Sequence, residues 1–334
     1  MTPTFAPTPA PAATAPGPTR TRRLLRAVAV LSCLPYLGLK AAWIAGSRIG
    51  VPEGSTLLDH RVAMIVANGV SVLLDSCVIV LALVLTRPWG LRVPAWQLAF
   101  PVWVATGLLA PIMAGFPLQL LTRALGGDTA TAPGPGREPF LQEWVFAVVY
   151  TGFIVQGLAL GALFVLYARD RWGHLWRGRT RELPVGVVGT PYRAVAVVTA
   201  ILASLPLAVR LYWACGGTAG LGNENRTTDF QVLDGTHVAF LVGAVVGALL
   251  LAFRRARVLP VAVPLASTWV CSGAAACWGG WMLLATLMSA DDPADRPTAL
   301  MTLTYAGQMT VGLLLASVGA HFLARRSATL GTRP

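Results

Sequence analysis

Residues 237–253 read HVAFLVGAVVGALLLAF, an uninterrupted stretch without a formally charged side chain. A helix of about 20 apolar residues is long enough to cross the ~30 Å hydrocarbon core of a bilayer. Asp234 precedes the stretch, and Arg254 and Arg255 follow it. The pattern therefore predicts a transmembrane helix with an acidic end and a basic end.

Further apolar runs of similar length occupy most of the chain. Bounded by Arg, Pro, Gly or acidic residues, the eight candidate spans are 27–46, 62–86, 93–115, 144–168, 194–214, 237–253, 258–288 and 299–323. The 334 residues are 55% hydrophobic and 12% charged, with a mean hydropathy of +0.64, which is more apolar surface than soluble cores can bury. We predict an all-α, polytopic integral membrane protein with eight transmembrane helices, and exclude a water-soluble enzyme.

The distribution of basic residues predicts the orientation. Arg and Lys concentrate in cytoplasmic connections. One set of alternate connections holds 18 cations and two acids, whereas the other holds six cations and eleven acids. The basic set comprises the Arg clusters at 20–26, 87–92, 169–193, 254–257 and 325–333. Both termini are therefore predicted to be cytoplasmic in a multi-pass plasma membrane protein, and the net charge of +12 follows from this topology without a nucleic-acid partner.

Short sequence matches recur in the same order in the two halves of the chain, as in an internal duplication. The matched pairs are 26–30 with 193–197 (RAVAV in both), 40–46 with 210–216 ([KR]-x-x-W-x-x-G), 94–107 with 260–273, and 150–158 with 305–313. Because each half holds four spans, the halves are predicted to be parallel repeats related by a pseudo-twofold axis along the membrane normal. A ligand site in such an arrangement is expected between the halves.

The duplication divides the chain into five parts. They are a disordered Pro/Ala/Thr-rich cytoplasmic tail (1–22), a four-helix membrane repeat (23–171), a basic cytoplasmic linker (172–192), a second four-helix repeat (193–326) and a short cytoplasmic tail (327–334). The first segment is rich in proline and lacks charge up to Arg20, a composition that cannot pack a core. The basic cluster followed by an apolar run also fits a cleaved signal peptide, but its uncut copy later in the chain argues against cleavage.

Two motifs carry a resemblance to known sequences. The pattern Lys40-x-x-Trp43-x-x-Gly46 ends span 1, and Tyr-Ala-Arg-Asp-Arg follows span 4 at 167–171. In both, the chain resembles a family of uncharacterised, duplicated membrane proteins from GC-rich bacteria. The resemblance covers most of residues 20–326 and implies a 4+4 arrangement of spans. It implies no activity, because none is established for that family.

Asp75 is the acidic residue that hydropathy places within a span. Charged groups inside spans are costly and mark functional sites by default. Asn68, Ser71 and Asp75 follow i, i+3, i+7 spacing, so they form one polar stripe predicted to face the bundle interior. The functional interpretation is a carboxyl that exchanges a proton or receives a cationic group during transport. The structural alternative is a neutral, protonated Asp75 that hydrogen-bonds a neighbouring helix.

Lys40 and Arg210 occupy equivalent places about two turns below the outer ends of spans 1 and 5. Snorkelling to the outer headgroups explains both simply. In the alternative, each cation pairs with an acid at the start of the following span, Asp59 for Lys40 and Asp234 for Arg210. Two such charged niches would bind an anionic headgroup or substrate. Without these pairs, Asp59 and Asp234 serve as helix N-caps.

Histidines offer a metal-binding alternative. His60 and His237 lie at the outer starts of spans 2 and 6, so they could meet in a metal site with the neighbouring acids, or ligate haem. Haem sites more often use facing histidines buried within spans. The odd set of five cysteines contains no CxxC, so we interpret these residues as packing groups. We predict no metal and no cofactor.

Sequence motifs favour no enzyme class. The chain contains no HExxH, no GxSxG, no Walker lysine loop and no paired aspartate motif. The leading hypothesis is a small-molecule permease or exporter that uses Asp75. A scaffold, immunity or sensory subunit that holds another membrane protein is the alternative, with Gly157-x-x-x-Gly161 and Gly243-x-x-x-Gly247 as helix contacts. An enzyme acting on lipid ranks third, because a lone carboxylate lacks a second acid or nucleophile. The lipid bilayer is a partner in every case.

Overall fold

The computed structural model describes residues 19–52, 61–127, 141–184, 187–221, 227–254, 258–288 and 297–331. Eight long helices run through these residues: α1 (Arg20–Ile44), α2 (Arg61–Val84), α3 (Ala95–Ala124), α4 (Glu143–Trp172), α5 (Thr190–Ala214), α6 (Thr228–Phe253), α7 (Ala262–Met288) and α8 (Ala299–Gly331). Short 3-10 helices lie at Pro88–Arg92, Gly173–Leu175 and Thr180–Glu182. Within the described residues the chain forms no β-strand, only an isolated bridge between Arg179 and Pro260.

Seven of these helices, α1 to α6 and α8, are long and apolar enough to cross a membrane. The chain is therefore an all-helical integral membrane protein. The remaining helix, α7, has 27 residues and a length of about 40 Å. Small residues of α7 meet its neighbours closely: a Cβ on Gly273 would contact Trp103 of α3, and one on Gly279 would collide with the backbone of Met309 in α8. Whether α7 forms an eighth span stays a prediction.

Several helices extend beyond the predicted apolar runs. α6 begins at Thr228, before the predicted start at 237, because its acidic residues Asp229 and Asp234 are buried in ion pairs instead of marking a loop. α8 continues to Gly331, so residues 327–331, predicted as tail, are helical. At the other terminus, 20–22 form the first turn of α1, and the rest of the predicted tail up to residue 18 lies outside the described residues.

The two halves of the chain share their main helix neighbours. α1 packs against α2 and α4, and α5 packs likewise against α6 and α8. α3 packs against α4 as α7 packs against α8. The halves differ at one place, because α6 and α7 pack closely whereas α2 barely touches α3. The second half is thus a closed four-helix bundle, and the first half is open between α2 and α3.

The halves meet where α3 packs against α7 and α6. Gly107 of α3 faces Gly273 of α7 so closely that a Cβ on Gly107 would collide with the Gly273 carbonyl. The Trp103 indole donates a hydrogen bond to the Ser272 hydroxyl (3.2 Å), and the Trp278 indole donates to the Leu108 carbonyl (3.1 Å). Along this α3–α7 seam the two helix backbones are in close contact. The polar residues predicted as site candidates lie within the two halves and not at this seam.

The [KR]-x-x-W-x-x-G segments build the same corner in each half. The Trp43 indole donates a hydrogen bond to the carbonyl of Ile49 (2.8 Å), six residues ahead, and the Trp213 indole donates to that of Ala219 (3.1 Å). In each corner, two glycines have backbone angles in the left-handed region, which residues with a Cβ disfavour. The φ angles are 93° at Gly46 and 92° at Gly216, then 73° at Gly50 and 79° at Gly220.

The Arg-rich connections gather at one end of the bundle, called here the basic end. Arg22 at the start of α1 forms an ion pair with Asp170 at the end of α4. Arg26 donates to the Thr86 hydroxyl after α2 (3.4 Å), and its predicted counterpart Arg193 donates to the Ala252 carbonyl near the end of α6 (3.2 Å). Each of these contacts joins helices within one half, and all of them lie at the same end of the bundle.

The predicted linker 172–192 is a packed element of this basic end. Its Thr180 N–H donates to the Leu259 carbonyl, and its Gly178 carbonyl accepts from the Val261 N–H, both at 3.1 Å. Leu183, Val187 and Val188 are buried in one cluster with residues of α5, α6, α7 and α8. Glu182 accepts the Arg179 backbone N–H (3.0 Å), which holds the pKa of that exposed carboxyl below its usual value. The linker therefore closes the basic end of the second half.

Candidate functional site

The polar stripe of α2 faces inward, as its spacing predicted. Asn68 and Asp75 are each 4% exposed. Ser71 between them is half-buried, and its hydroxyl donates to the Ala67 carbonyl of its own helix (2.9 Å). Most other residues of α2 are apolar, and Val66, Leu73 and other side chains on the face away from the stripe are exposed, as lipid-facing residues would be. Because the apolar face of α2 is exposed, its polar stripe faces α1 and α4.

Asp75 meets a buried amide of α4. Gln156, 1% exposed, donates its Nε2–H to Asp75 Oδ1 at 3.4 Å. Asp75 Oδ2 and Gln156 Oε1 are both buried and accept no hydrogen bond from the described residues. A buried polar atom left without a partner costs about 1–3 kcal/mol. The pair of side chains therefore holds two acceptor oxygens that need donors.

One face of α1 completes the surroundings of Asp75. Cys33, Tyr36 and Lys40 follow i, i+3, i+7 spacing along that face, and the Tyr36 ring packs on that of Phe153, one turn before Gln156 on α4. The Lys40 ammonium lies 4.9 Å from the centroids of both the Tyr36 and Trp43 rings, and forms no ion pair with any carboxylate of the described residues. A cation over a ring face is attracted by the ring quadrupole. We call Tyr36, Lys40, Asp75 and Gln156 the first-half site.

The sequence also predicted a partner for Lys40 in Asp59. That residue and His60 lie outside the described residues.

In the second half, the predicted pair of Arg210 and Asp234 is formed. Arg210 Nη1 donates to Asp234 Oδ1 at 2.5 Å, and both residues are buried. Arg210 Nε donates to Gln308 Oε1 of α8 (3.2 Å), whose Nε2 lies 3.3 Å from His237 Nδ1. The guanidinium carbon lies 5.0 Å from the Tyr305 ring centroid. Asp234 is thus an ion-pair partner within α6 and not its N-cap, which is Thr227.

Among the described residues, the equivalent cations of the two halves have different neighbours. Lys40 and Arg210 each lie over the tryptophan three residues ahead, at 4.9 and 5.8 Å from the ring centroids. Arg210 is neutralised by a carboxylate in direct contact, whereas the Lys40 ammonium rests on rings. Asp234 lies in the first turns of α6, whereas Asp75 lies deep within α2. The second-half cluster is a buried ion pair in direct contact, in which Arg210 Nη2 has no partner among the described residues.

Three polar groups of this architecture were missed by the sequence reasoning. Gln156 and Gln308 are polar residues within apolar spans, and the rule that singled out Asp75 also applies to them. Asp229 is 1% exposed and forms an ion pair with Arg123 (2.6 Å), which ties the end of α3 to the start of α6. No short-range pattern joins residues that are so far apart in the chain.

The described residues assemble no metal centre. No three His, Cys, Asp or Glu side chains of the described part of the chain come close enough to hold a metal ion. The His237 ring instead lies 5.9 Å from the Trp278 ring. All five cysteines are free thiols.

An apolar groove of about 420 Å³ lies between α3 and α6. Leu118, Val232 and Phe240 are among its lining residues, and no residue of the first-half site contributes to it.

No protein-family model, no curated protein and no solved structure matches the chain. A function has to be argued from the site itself. What the first-half site offers chemically is one carboxylate, two acceptor oxygens without donors, and aromatic faces that already hold an ammonium. Such a set is chemically suited to a proton or a cation.

Proposed function

We propose that the protein is a small-molecule permease or exporter in which Asp75 takes up a proton or a cation. The observation that carries the proposal is the buried Asp75 carboxylate, whose Oδ2 accepts no hydrogen bond from the described residues. Buried polar atoms are normally satisfied. Ionisable residues within membrane helices are typical of substrate and ion pathways. A carboxylate that lacks a donor is suited to binding one reversibly.

The topology that accompanies this function has eight spans in the plasma membrane, with both termini cytoplasmic and the halves related as parallel repeats. The shared corner geometry and helix neighbours of the two halves support the duplication. The gathering of the Arg-rich connections at one end supports the orientation. α7 packs between α6 and α8 along its length and supplies the eighth span.

We assign the conformational change of the transport cycle to the first half. α2 carries Asp75 and has little contact with α3, whereas the corresponding α6 and α7 pack tightly. Elements with few packed contacts open at the lowest free energy. α2 is therefore the helix that exposes Asp75 to one side of the membrane, while the second half serves as a rigid support.

The alternative functions have weaker support. The glycines proposed as partner contacts are used within the chain, since Gly157 packs on Met113 of α3 and Gly243 packs on Cys271 of α7. A scaffold would therefore need another contact surface. For an enzyme acting on lipid, no second acid or nucleophile of the described residues hydrogen-bonds Asp75.

Proton flux in proteoliposomes tests the proposal. Purified protein is reconstituted with a pH-sensitive dye inside, a pH gradient is imposed, and the small-molecule fraction of a cell extract is added. We expect flux above that of empty liposomes for the wild type, at least a tenfold loss in Asp75→Asn, and full activity in Ser76→Ala. Ser76 is the matched control because it is adjacent on α2 and bonds only its own helix. Equal flux in Asp75→Asn and wild type contradicts the proposal, as does wild-type flux equal to that of empty liposomes.

A further inference from the structure

We infer that the first-half site binds the ammonium group of an organic amine, between the Asp75 carboxylate, the Gln156 amide oxygen and the Tyr36 ring. The inference rests on the proposed function, since it names the substrate class of the same carboxylate. Three independent features of the site support it: its unmatched acceptors, its aromatic faces and its single negative charge.

The unmatched acceptors require a ligand that supplies donors. Asp75 Oδ2 and Gln156 Oε1 belong to side chains joined by one hydrogen bond, and both are buried without a donor. An ammonium carries up to three N–H donors and no acceptor. It can satisfy both oxygens at once and neutralise the carboxylate, and a hydrogen bond between charged groups is about twice as strong as a neutral one.

The aromatic faces beside Asp75 already hold an ammonium, that of Lys40. Its nitrogen lies over the Tyr36 and Trp43 rings, and Tyr36 packs edge-on against Phe153 of α4 (4.9 Å between centroids). Rings beside a carboxylate bind organic cations through their quadrupole and bury the apolar part of the molecule. The same surroundings favour an amine with an apolar body.

Other ligand classes fit less well. Ca²⁺ takes six to eight oxygen ligands and Mg²⁺ near-octahedral coordination. No group of three His, Cys, Asp or Glu side chains that could hold such an ion occurs among the described residues. An anion is repelled by Asp75. A proton alone remains as the competing ligand, because a protonated carboxyl also supplies a donor.

Lys40 is a tethered competitor of the ligand. Its ammonium lies over the Tyr36 ring, which the proposed ligand would also contact, and like charges disfavour each other's binding to one site. Removing this charge while keeping an apolar side chain of similar length therefore favours the ligand. We expect Lys40→Met to bind an amine at least threefold more tightly than the wild type.

Calorimetric titration of the full-length protein in lipid nanodiscs at neutral pH provides the test. The probes are phenethylammonium, its N,N,N-trimethyl derivative, which keeps the charge but has no N–H donor, and phenylethanol, which is neutral. We expect saturable binding of phenethylammonium with a Kd of about 1 mM or tighter. The trimethyl derivative should bind at least tenfold more weakly, and phenylethanol should not bind.

Variants locate the binding. Asp75→Asn should lose at least tenfold in affinity for phenethylammonium, Asp75→Glu should retain part of it, and Ser76→Ala should match the wild type. Comparable binding to wild type and Asp75→Asn overturns the inference, as does the absence of saturable binding in the wild type. If Asp75→Asn is poorly folded, equal binding of phenethylammonium and its trimethyl derivative to the wild type overturns it independently.

The two proposals fail in distinguishable ways. Proton flux that depends on Asp75, without phenethylammonium binding, leaves the transport proposal standing and makes the proton the ligand. Asp75-dependent binding of phenethylammonium, without flux in proteoliposomes, establishes an amine site in a protein that does not transport.

Discussion

At the scale of single residues, the described parts of the two halves surround equivalent cations with different groups. Arg210 contacts Asp234 and Gln308 directly, so its charge is fixed in place. Lys40, at the equivalent position, is held by ring faces and is only half-buried. A guanidinium is suited to a fixed, directional pair, whereas an ammonium is a mobile point charge. The guanidinium of Arg210 thus fits a fixed structural contact, whereas the ammonium of Lys40 fits a contact that can be exchanged for another.

Stability measurements distinguish these two roles. Arg210→Met leaves Asp234 as an uncompensated buried charge, which costs about 3–5 kcal/mol, whereas Lys40→Met loses ring contacts worth about 1 kcal/mol. We expect a much larger drop in unfolding free energy for Arg210→Met, measured by denaturant titration in detergent. The double variant Arg210→Met with Asp234→Leu should recover most of the loss. Equal losses of unfolding free energy in Arg210→Met and Lys40→Met contradict a structural role for the Arg210–Asp234 ion pair.

At the scale of helices, small residues decide how closely the elements approach. Gly107 and Gly157 both lie in helices where an added Cβ would collide with a neighbour, whereas one on Gly161 would meet nothing within 4 Å. The sequence pattern Gly-x-x-x-Gly singles out Gly157 and Gly161 equally. The pattern therefore identifies glycines that lie on a helix face, but not which of them touches another helix.

Substitution of two helical glycines by alanine tests the seam. Gly107→Ala places a methyl group against the Gly273 carbonyl and should destabilise the protein by about 1–3 kcal/mol through overpacking. Gly161→Ala meets no atom, so the higher helix propensity of alanine should leave stability unchanged or raise it by up to about 1 kcal/mol. Thermal unfolding in detergent measures both. A stable Gly107→Ala variant would mean that the α3–α7 seam is loose.

The corner glycines give a second test at this scale. Gly46 and Gly216 adopt nearly equal left-handed φ angles, which cost a residue with a Cβ about 1–2 kcal/mol. Gly46→Ala and Gly216→Ala should therefore lower the unfolding free energy by similar amounts, as chemical denaturation can show. A loss confined to one of the two variants contradicts equivalent corners.

The sequence predicts those features of the fold and site that depend on residues close together in the chain. Apolar runs locate the helices because crossing a bilayer needs one continuous segment, and the i, i+3, i+7 stripe places Asp75 inward because it depends on one helix alone. The start of α6 was missed because buried ion pairs hide its acids from hydropathy. Gln156 was missed because its role exists only through Asp75, on another helix. The packed linker was missed because its burial depends on the second half.

At the scale of the whole molecule, the contacts distribute rigidity unevenly. The basic end, the α3–α7 seam and the second-half ion pair join seven helices through backbone-close or charged contacts. α2 has its main packing against α1. Of the eight described helices, α2 has the fewest contacts with its neighbours, and its end near the basic end is buried in one cluster with α1, α3 and α4. The helix with the fewest contacts is thus the one that carries Asp75.

Chemical labelling tests the orientation and the crossing of α7. In a variant whose native cysteines are replaced, Arg48→Cys and Ala299→Cys should react with an impermeant maleimide on intact cells, because both positions are exposed at the end opposite the basic end, which is predicted to face outwards. Arg177→Cys and Val258→Cys, exposed at the basic end, should react only after the cells are opened. If Val258→Cys and Ala299→Cys label from the same side, α7 does not cross the membrane.

The packed linker has a consequence for biogenesis. Leu183, Val187 and Val188 leave the ribosome before α6, α7 and α8, which bury them, have been made. At about 5–20 residues per second, the delay until Phe322 follows is on the order of ten seconds. Throughout that interval the apolar side chains of the linker lack the packing partners that α6, α7 and α8 supply. A chain whose synthesis stops before α8 leaves part of this apolar surface uncovered.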